Sequence, residues 1–414
     1  MTAPSAAVVR PSPRPPVRYR TGARDLPRLV LYAWAALFLN VLAPGGESIL
    51  PLPHFVMQVL AQGSLLVAVL FALLANRRLV LRPNLLLVLL SVLAITSFIV
   101  SLHNEFIVGS VYRGFRLITF VAVLWLLSPW WGRRDLVLLR AHRVCLWVVL
   151  VSVVAGAVLA PGMAFSFGGR LSGTLWPVPP TQVAHYAALL FGTSAILWMC
   201  RVITGRHALL GVAIGTVTLI GTHTRTALMG AAIGLGLASA SLFLGHARAR
   251  RVSVSTLVGM MAGTLLFAPQ IITWLARGQS VSEASQLTGR TQVWSDVFAA
   301  SRPALEQFFG SGLSNKSYEG LAIDSNWVAT YVDQGWFGMV IEASLLVLLL
   351  LAAVTHVRGP RRALALFIIV YAIVASVTET GLGDASPYLL DLAVAASLLA
   401  SPAHRAAPAD RETP

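Results

Sequence analysis

Residues 274–335 read WLARGQSVSEASQLTGRTQVWSDVFAASRPALEQFFGSGLSNKSYEGLAIDSNWVATYVDQG, and residues 336–356 read WFGMVIEASLLVLLLLAAVTH. The first is the long polar interruption of a chain otherwise built from apolar runs, and the second is one of those runs. Their contrast decides the fold class. An apolar run of about 20 residues crosses a bilayer as a helix, because hydrocarbon offers no partner to backbone N–H and C=O groups. The polar stretch holds six of the sixteen acidic residues: Glu283, Asp296, Glu306, Glu319, Asp324 and Asp333. It also holds Arg277, Arg290, Arg302 and Lys316, the rings of Trp294, Trp327 and Tyr331, and the triplet Gly310-Ser311-Gly312. Any chemistry is expected there, over the mouth of a helical bundle.

Outward from that stretch the chain reads as an all-α integral membrane protein. It is 57% hydrophobic and 11% charged, against about 25% charged in soluble domains. Twelve transmembrane helices are expected, near 29–44, 54–75, 84–101, 107–128, 144–162, 182–200, 207–222, 226–245, 252–273, 336–356, 363–379 and 387–401. The long extracytoplasmic loop, 274–335, then joins helices nine and ten. Residues 1–28, rich in Pro and Arg without an apolar core, read as a disordered cytoplasmic tail rather than a signal peptide. Residues 29–401 form the membrane domain, and 402–414 read as a second cytoplasmic tail.

The formal charge of +15 is topology, not nucleic-acid affinity. With the N-terminus inside, 23 of the 31 basic residues fall on cytoplasmic segments. Arg140 and Arg143 are placed there, just before the fifth span. Six basic residues fall outside: Arg170, Arg225, Arg277, Arg290, Arg302 and Lys316. Arg113 and Arg116 lie within the fourth span. The alternation puts both termini in the cytoplasm. Cys145 and Cys200 show neither a disulfide framework nor metal-type spacing. No internal repeat and no inverted pair of broken helices is evident.

Basic residues on the outer side oppose the topology rule and need another reason. Arg290 lies in Gly289-Arg290-Thr291-Gln292-Val293-Trp294, where a guanidinium suits bidentate grip on a diphosphate; a loop ion pair with Asp296 or Glu283 is the plainer reading. Arg225, in Thr224-Arg225-Thr226-Ala227-Leu228, must face the interior or the headgroups. Arg113 and Arg116 share one helix face and read as a functional site, as snorkelling groups or as partners of Glu105. Arg170 precedes Leu171-Ser172-Gly173-Thr174 and a proline-rich re-entry, Trp176-Pro177-Val178-Pro179-Pro180. His185 beyond it reads as a hydrogen-bonded core residue. Asp324 beside Ser325 and Asn326 suits a general base, or equally a helix cap. Glu342 and Asp391 read as proton sites or structural hydrogen-bond partners. Glu379 and Asp384 read as solvated acids of an outer turn. There is no Walker sequence, metal cluster or GxSxG, so a phosphate site would be built from Arg.

The order of these segments resembles that of the O-antigen ligase / O-antigen polymerase family of bacterial envelope enzymes. Arg170-Leu-Ser-Gly-Thr is followed by Thr224-Arg-Thr-Ala-Leu, then Gly289-Arg-Thr-Gln-Val-Trp, Phe309-Gly-Ser-Gly-Leu, and Ser325-Asn326 with Gly335-Trp-Phe-Gly338. The likeness covers roughly residues 165–390. It implies a twelve-helix C-type membrane glycosyltransferase that takes a glycan from a polyprenyl diphosphate. The glycan passes to a glycan, lipid or protein acceptor hydroxyl at the outer face of the cytoplasmic membrane, without metal or other cofactor. By position Arg225 and Arg290 would bind the diphosphate and Arg170 would line the same cleft; Arg113 and Arg116, outside the likeness, join the diphosphate candidates as charges within a span. Asn326, Trp294 and Trp327 would meet the acceptor or glycan. Partners would be the lipid-linked donor, the bilayer and other polysaccharide assembly proteins, with no nucleic acid.

Two positions depart from the family pattern. Ligases place a His, thought to activate the acceptor, where this chain has Ser325, so Asp324, Ser325 and Arg290 are the catalytic candidates. Trp176-Pro177 replaces a usual Asn-Pro-Asn. The competing classes are a transporter or flippase of envelope precursors, whose polar residues would sit near mid-bilayer, and a non-catalytic assembly partner.

Overall fold

The computed structural model describes residues 26–401 apart from 43, 105, 134, 277–289, 315 and 319, and at Arg290 and parts of one helix it describes the backbone alone. The expected tails therefore lie almost wholly outside the described residues, as do Arg277, Glu283 and Glu105.

The chain is mostly helical, at 73%. In order come α1 (Arg28–Val41), α2 (His54–Ala75), α3 (Leu85–Ser101), α4 (Ile107–Leu126), α5 (Val137–Leu159), the short α6 (Pro161–Ala164), α7 (Pro180–Met199), α8 (Gly205–Gly221), α9 (Arg225–Leu242) and α10 (Ala247–Ala276). After the outer segment's α11 (Arg290–Ala299), α12 (Ala304–Phe309) and the two-residue strands β1 (Ser317–Tyr318) and β2 (Leu321–Ala322) come α13 (Asn326–Thr355), α14 (Pro360–Ala375) and α15 (Pro387–Leu399). Local chemistry sets several boundaries. Pro180, Pro360 and Pro387 open α7, α14 and α15 at positions whose N–H would be unpaired anyway. Asn84 and Ser386 cap α3 and α15 by accepting from Leu86 N and Leu389 N.

Each of the twelve apolar runs is a helix. Among the described residues five helices are long and apolar enough to cross a membrane by length and composition: α2, α4, α5, α9 and α13. Large apolar side chains on their outer faces are exposed, Phe55 and Leu66 on α2 and Val158 on α5 among them. This architecture is consistent with a helical membrane protein.

Packing is close where side chains are small. α9 lies along α14, α7 along α8, α1 along α2 and α3 along α4. A Cβ on Gly230 would stand 3.0 Å from the Tyr371 ring, and one on Gly234 3.0 Å from the Phe367 carbonyl oxygen. These two glycines, one turn apart, let α9 approach the α14 backbone. The main core runs through all the larger helices, and a smaller cluster of Val293, Val297, Ile323, Val328 and Val332 lies beneath α11.

Four expectations are corrected. The tenth span does not begin at 336: α13 starts at Asn326 and bends at Gly335, where φ is +64°. Asp333 sits in that added stretch, and the polarity that hid the helix is satisfied internally. The loop expected over 274–335 therefore ends at Ser325, and its described part from Arg290 onward carries α11, α12, β1 and β2. α5 starts at Val137, so Arg140 and Arg143 lie inside a helix rather than ahead of it, Arg143 donating to Ser194 Oγ at 3.1 Å. α10 is a single stretch interrupted at Phe267, two residues before Pro269.

Candidate functional site

One end of the bundle is organised around the link between α14 and α15, residues 376–386. Asn326, the first residue of α13, holds its middle. Its Oδ1 accepts from the backbone N–H of Gly381 at 3.0 Å and Leu382 at 2.8 Å, and its Nδ2 donates to Glu342 Oε2. Thr330 Oγ1 donates to the other oxygen of Glu342 at 2.9 Å. Gln334 Nε2 donates to Gly383 O at 2.8 Å and to Ser97 Oγ at 3.0 Å. Asn326, Thr330, Gln334 and Glu342 repeat at helical spacing across the bend and present one polar stripe to the link.

The bend itself is sterically required. A Cβ on Gly335 would stand 2.4 Å from the Phe308 carbonyl, and one on Gly310 2.3 Å from the Asp333 and Gln334 backbone. The turn after α12 is thereby pressed onto α13, where Ser311 N donates to Val332 O and Gly312 N to Asp333 O, both at 3.0 Å. The Gly310-Ser311-Gly312 triplet is therefore a backbone docking element.

Cations approach the link from one side. Lys316 Nζ stands 3.5 Å from Asp384 Oδ2, the two side chains 19% and 13% exposed. Arg116 donates through Nε to Asn40 Oδ1 at 3.1 Å and through Nη2 to Asn40 O at 3.1 Å and Ala385 O at 2.9 Å. Arg113 Nη1 donates to Ser314 O. Burial alone would raise the Asp384 pKa; Lys316, then Arg116 and Arg113, outweigh it and hold the carboxyl below the ordinary carboxylate value. Asp384 is therefore no solvated acid of an outer turn. A water-sized cavity of about 10 Å³ lies between Lys316, Asp333, Asn326 and Asp384.

The link also meets α9, whose N-terminal end is braced by the 165–180 segment. Gly168 (φ +59°) and Gly169 (φ +77°) form the tight turn Phe167–Arg170, which left-handed conformations at two successive residues require. It delivers Arg170 Nε to Thr222 O at 3.0 Å and Nη2 to Thr224 Oγ1 at 3.1 Å. Arg225 follows as the first residue of α9. Thr226 Oγ1 meets Thr378 Oγ1 at 2.8 Å, tying α9 to the start of the link. Trp176 Nε1 donates to Leu42 O at 3.2 Å, so the Trp-Pro departure serves an anchor onto the end of α1.

Of the expected residues, Asn326 and Arg116 thus meet residues 376–386 directly, Asp324 and Ser325 precede Asn326 in the chain, Arg113 is held on Ser314 O, and Arg170 and Arg225 lie together at the start of α9. Arg290 is the first residue of α11 and its side chain lies outside the described groups. Trp294, on α11, packs on the smaller cluster and Trp327 on the main core. Ser325 is 3% exposed and Asn326 2%. Ser325 occupies the N-cap position without a side-chain capping bond. Asn326 has both amide ends engaged, which gives it a clasping job rather than a surface for an acceptor. Sequence reasoning missed Lys316, Asp384, Gln334 and Asn40. One signal was available: Lys316 is the single Lys among 31 basic residues.

A second polar cluster lies in the helical core. His142 Nε2 stands 3.1 Å from Asp391 Oδ1, and His185 Nε2 2.7 Å from Asp391 Oδ2. Among the described residues no group of three or more His, Cys, Asp or Glu has a metal-holding arrangement. Compared with known proteins, the chain matches no family model and no curated protein. The family reading accordingly rests on the order of the sequence segments.

Proposed function

We propose that this chain is a membrane glycosyltransferase of cell-surface polysaccharide assembly, of the O-antigen polymerase or ligase type. It would cross the bacterial cytoplasmic membrane twelve times with both termini cytoplasmic. At the outer face it would move a glycan from a polyprenyl diphosphate to an acceptor hydroxyl. The observation that carries the reading is that Arg116 and Lys316 bind residues 376–386 through Ala385 O and Asp384, with Arg113 on Ser314 O beside Lys316 and Arg170 fixed to the loop before α9, the helix that Thr226 ties to Thr378.

Helix length supports a recess there. α14 has 16 residues and α15 has 13, or about 24 and 20 Å at 1.5 Å per residue, short of about 30 Å of hydrocarbon. Their shared outer link would lie below the level reached by longer neighbours. A diphosphate drawn into that recess would meet fixed guanidiniums in a low-dielectric setting. Charge grows on the leaving diphosphate as the glycosidic bond breaks, so such cations stabilise the transition state more than the ground state. Arg stays charged at any working pH and needs no metal. Arg290, at the start of α11 over this region, completes the diphosphate grip in the proposal. Asp324, next to sealed Ser325, is the base for the acceptor hydroxyl.

The deciding experiment is transfer in vitro with purified protein in lipid and a polyprenyl-diphosphate oligosaccharide, with and without chelator, beside Arg290→Ala. Chelator-resistant product that vanishes in the variant is expected, and product length separates polymerase from ligase. No product from several donors, in folded protein, would overturn the proposal. The alternative of a transporter or flippase is favoured by one observation, the buried His142–Asp391–His185 cluster, since ionisable groups inside a bundle are a transporter's usual equipment. Donor-independent movement of lipid-linked precursor across vesicles would select it.

A further inference from the structure

His142 on α5, His185 on α7 and Asp391 on α15 meet in the interior, 3%, 1% and 2% exposed. The two imidazoles flank one carboxylate, each Nε2 facing one oxygen. The proton inventory can be read from their neighbours. Trp34 Nε1 lies 3.4 Å from His142 Nδ1. An indole N–H only donates, so His142 Nδ1 accepts and its proton sits on Nε2, toward Asp391. His142 is therefore neutral.

His185 is placed differently. Its Nδ1 has no hydrogen-bond partner among the described residues, and its ring lies among Tyr388, Tyr371 and Tyr186 at centroid distances of 4.3, 5.3 and 5.5 Å. Aromatic rings within about 6 Å favour a cation. Were His185 also neutral with Asp391 ionised, the core would hold a net negative charge sealed from water, which is strongly unfavourable without a counter-charge. The groups that balance Asp391 are the two imidazoles. Their contacts with it are close but lie off the straight hydrogen-bond line. Neutral hydrogen bonds weaken with misalignment, whereas Coulomb attraction does not depend on it.

We propose that these three residues form a proton-binding site in the helical core, with one proton shared across the Asp391 Oδ2–His185 Nε2 contact and the cluster electrically neutral. The proton moves between two forms: the O–H bond of a carboxylic acid breaks as the N–H bond of an imidazolium forms, with no change in total charge. The other titratable groups facing the cluster are Tyr186 and Cys145 from α7 and α5, Tyr371 from α14, Tyr388 from α15 and, beyond the helix ends, Glu379. The phenols are uncharged below about pH 10. Of the charges near His142 on α5, Arg143 donates to Ser194 on α7 and Arg140 to the Asp135 carbonyl oxygen. The proton thus belongs to the triad. The inference holds for a transferase or a transporter alike.

The test is spectroscopic and uses the full chain in lipid nanodiscs. The chain has nine His residues. At pH 8.5 an exposed His, with an ordinary pKa of about 6.5, is about 99% neutral. Nitrogen-15 NMR of labelled His and infrared spectra of carbon-13-labelled Asp are recorded from pH 6 to 10. A single imidazolium, or a single protonated Asp carboxyl, persisting at pH 8.5 is the expected result. That signal should vanish in Asp391→Asn and remain in His142→Gln. Nine neutral imidazoles together with fully ionised carboxylates at pH 8.5 would overturn the proposal, and this outcome needs only the wild-type chain. A persistent signal unaffected by both Asp391→Asn and His185→Gln would overturn it as well.

Discussion

Asn326 and Glu342 are hydrogen-bonded through Nδ2 and Oε2 across the bend in α13, and together they hold the link between α14 and α15. Asn326 carries the link because it accepts two backbone N–H groups at once, from Gly381 and Leu382. Asn326→Ala should leave both donors and one Glu342 oxygen without partners. At about 1–3 kcal/mol for each buried unsatisfied group, the loss is a large share of a marginal stability. A marked drop in melting temperature in detergent is expected, with the wild-type helical content below the transition. A melt indistinguishable from wild type would remove the clasp.

Lys316 and Asp384 form the charged edge of the same region. The Asp384 carboxyl gives up its proton more readily in the folded chain than in the unfolded one, because Lys316, Arg116 and Arg113 outweigh the effect of burial. A lowered folded-state pKa adds stability that is fully present above the unfolded value of about 3.9 and is lost as pH falls through the folded value. Wild type should therefore lose stability on acidification below about pH 4 more steeply than Asp384→Asn. Near pH 7 Lys316→Met should be destabilising, since it strands a carboxylate that is only 13% exposed. Parallel acid profiles for wild type and Asp384→Asn would contradict this assignment.

Much of the fold was legible because lipid imposes one constraint on every span. Twelve apolar runs were visible and all twelve are helices, with α13 and α5 longer than expected at their N-terminal ends. The extensions were hidden for one reason. Asp333 in α13 and Arg143 in α5 look like loop residues, and each is satisfied by a partner outside its own helix, Asp333 by Ser314 N and Oγ and Arg143 by Ser194. Of the candidate site, Arg116 and Asn326 were singled out in the sequence and do meet residues 376–386, but the organiser itself was not legible. Residues 376–386 carry few charges, and their importance lies in backbone groups that side chains elsewhere receive. The pairing of His185 with Asp391 was likewise invisible, since about two hundred residues of chain lie between them.

Gly335 tests the bend directly. Its φ of +64° and ψ of −165° belong to a region that is essentially reserved for glycine. A Cβ there would also overlap the Phe308 carbonyl at 2.4 Å. Gly335→Ala should cost about 2–4 kcal/mol from backbone strain and overlap combined. Gly236→Ala, on α9, meets nothing within 4 Å and should be neutral or slightly stabilising. Comparable melting temperatures for the two variants would show that α13 tolerates another path at Gly335.

Arg170 separates charge from geometry at the proposed diphosphate site. It bonds the loop before α9 through two nitrogens, Nε to Thr222 O and Nη2 to Thr224 Oγ1, which fixes the plane of the guanidinium and the direction of its remaining N–H groups. Lys offers a cation but not this fork. If transfer depends on a fixed donor aimed at the leaving diphosphate, Arg170→Lys should lose most of what Arg170→Ala loses. Removing a charged hydrogen bond of about 1.5–3 kcal/mol corresponds to roughly a 10- to 100-fold fall in rate. The fall should appear in kcat more than in KM, because leaving-group charge is greatest in the transition state. Full activity in Arg170→Lys would mean that the site uses net positive potential alone. Full activity in Arg170→Ala would place the diphosphate elsewhere, with Arg113, Arg116 and Lys316 as the next groups to vary.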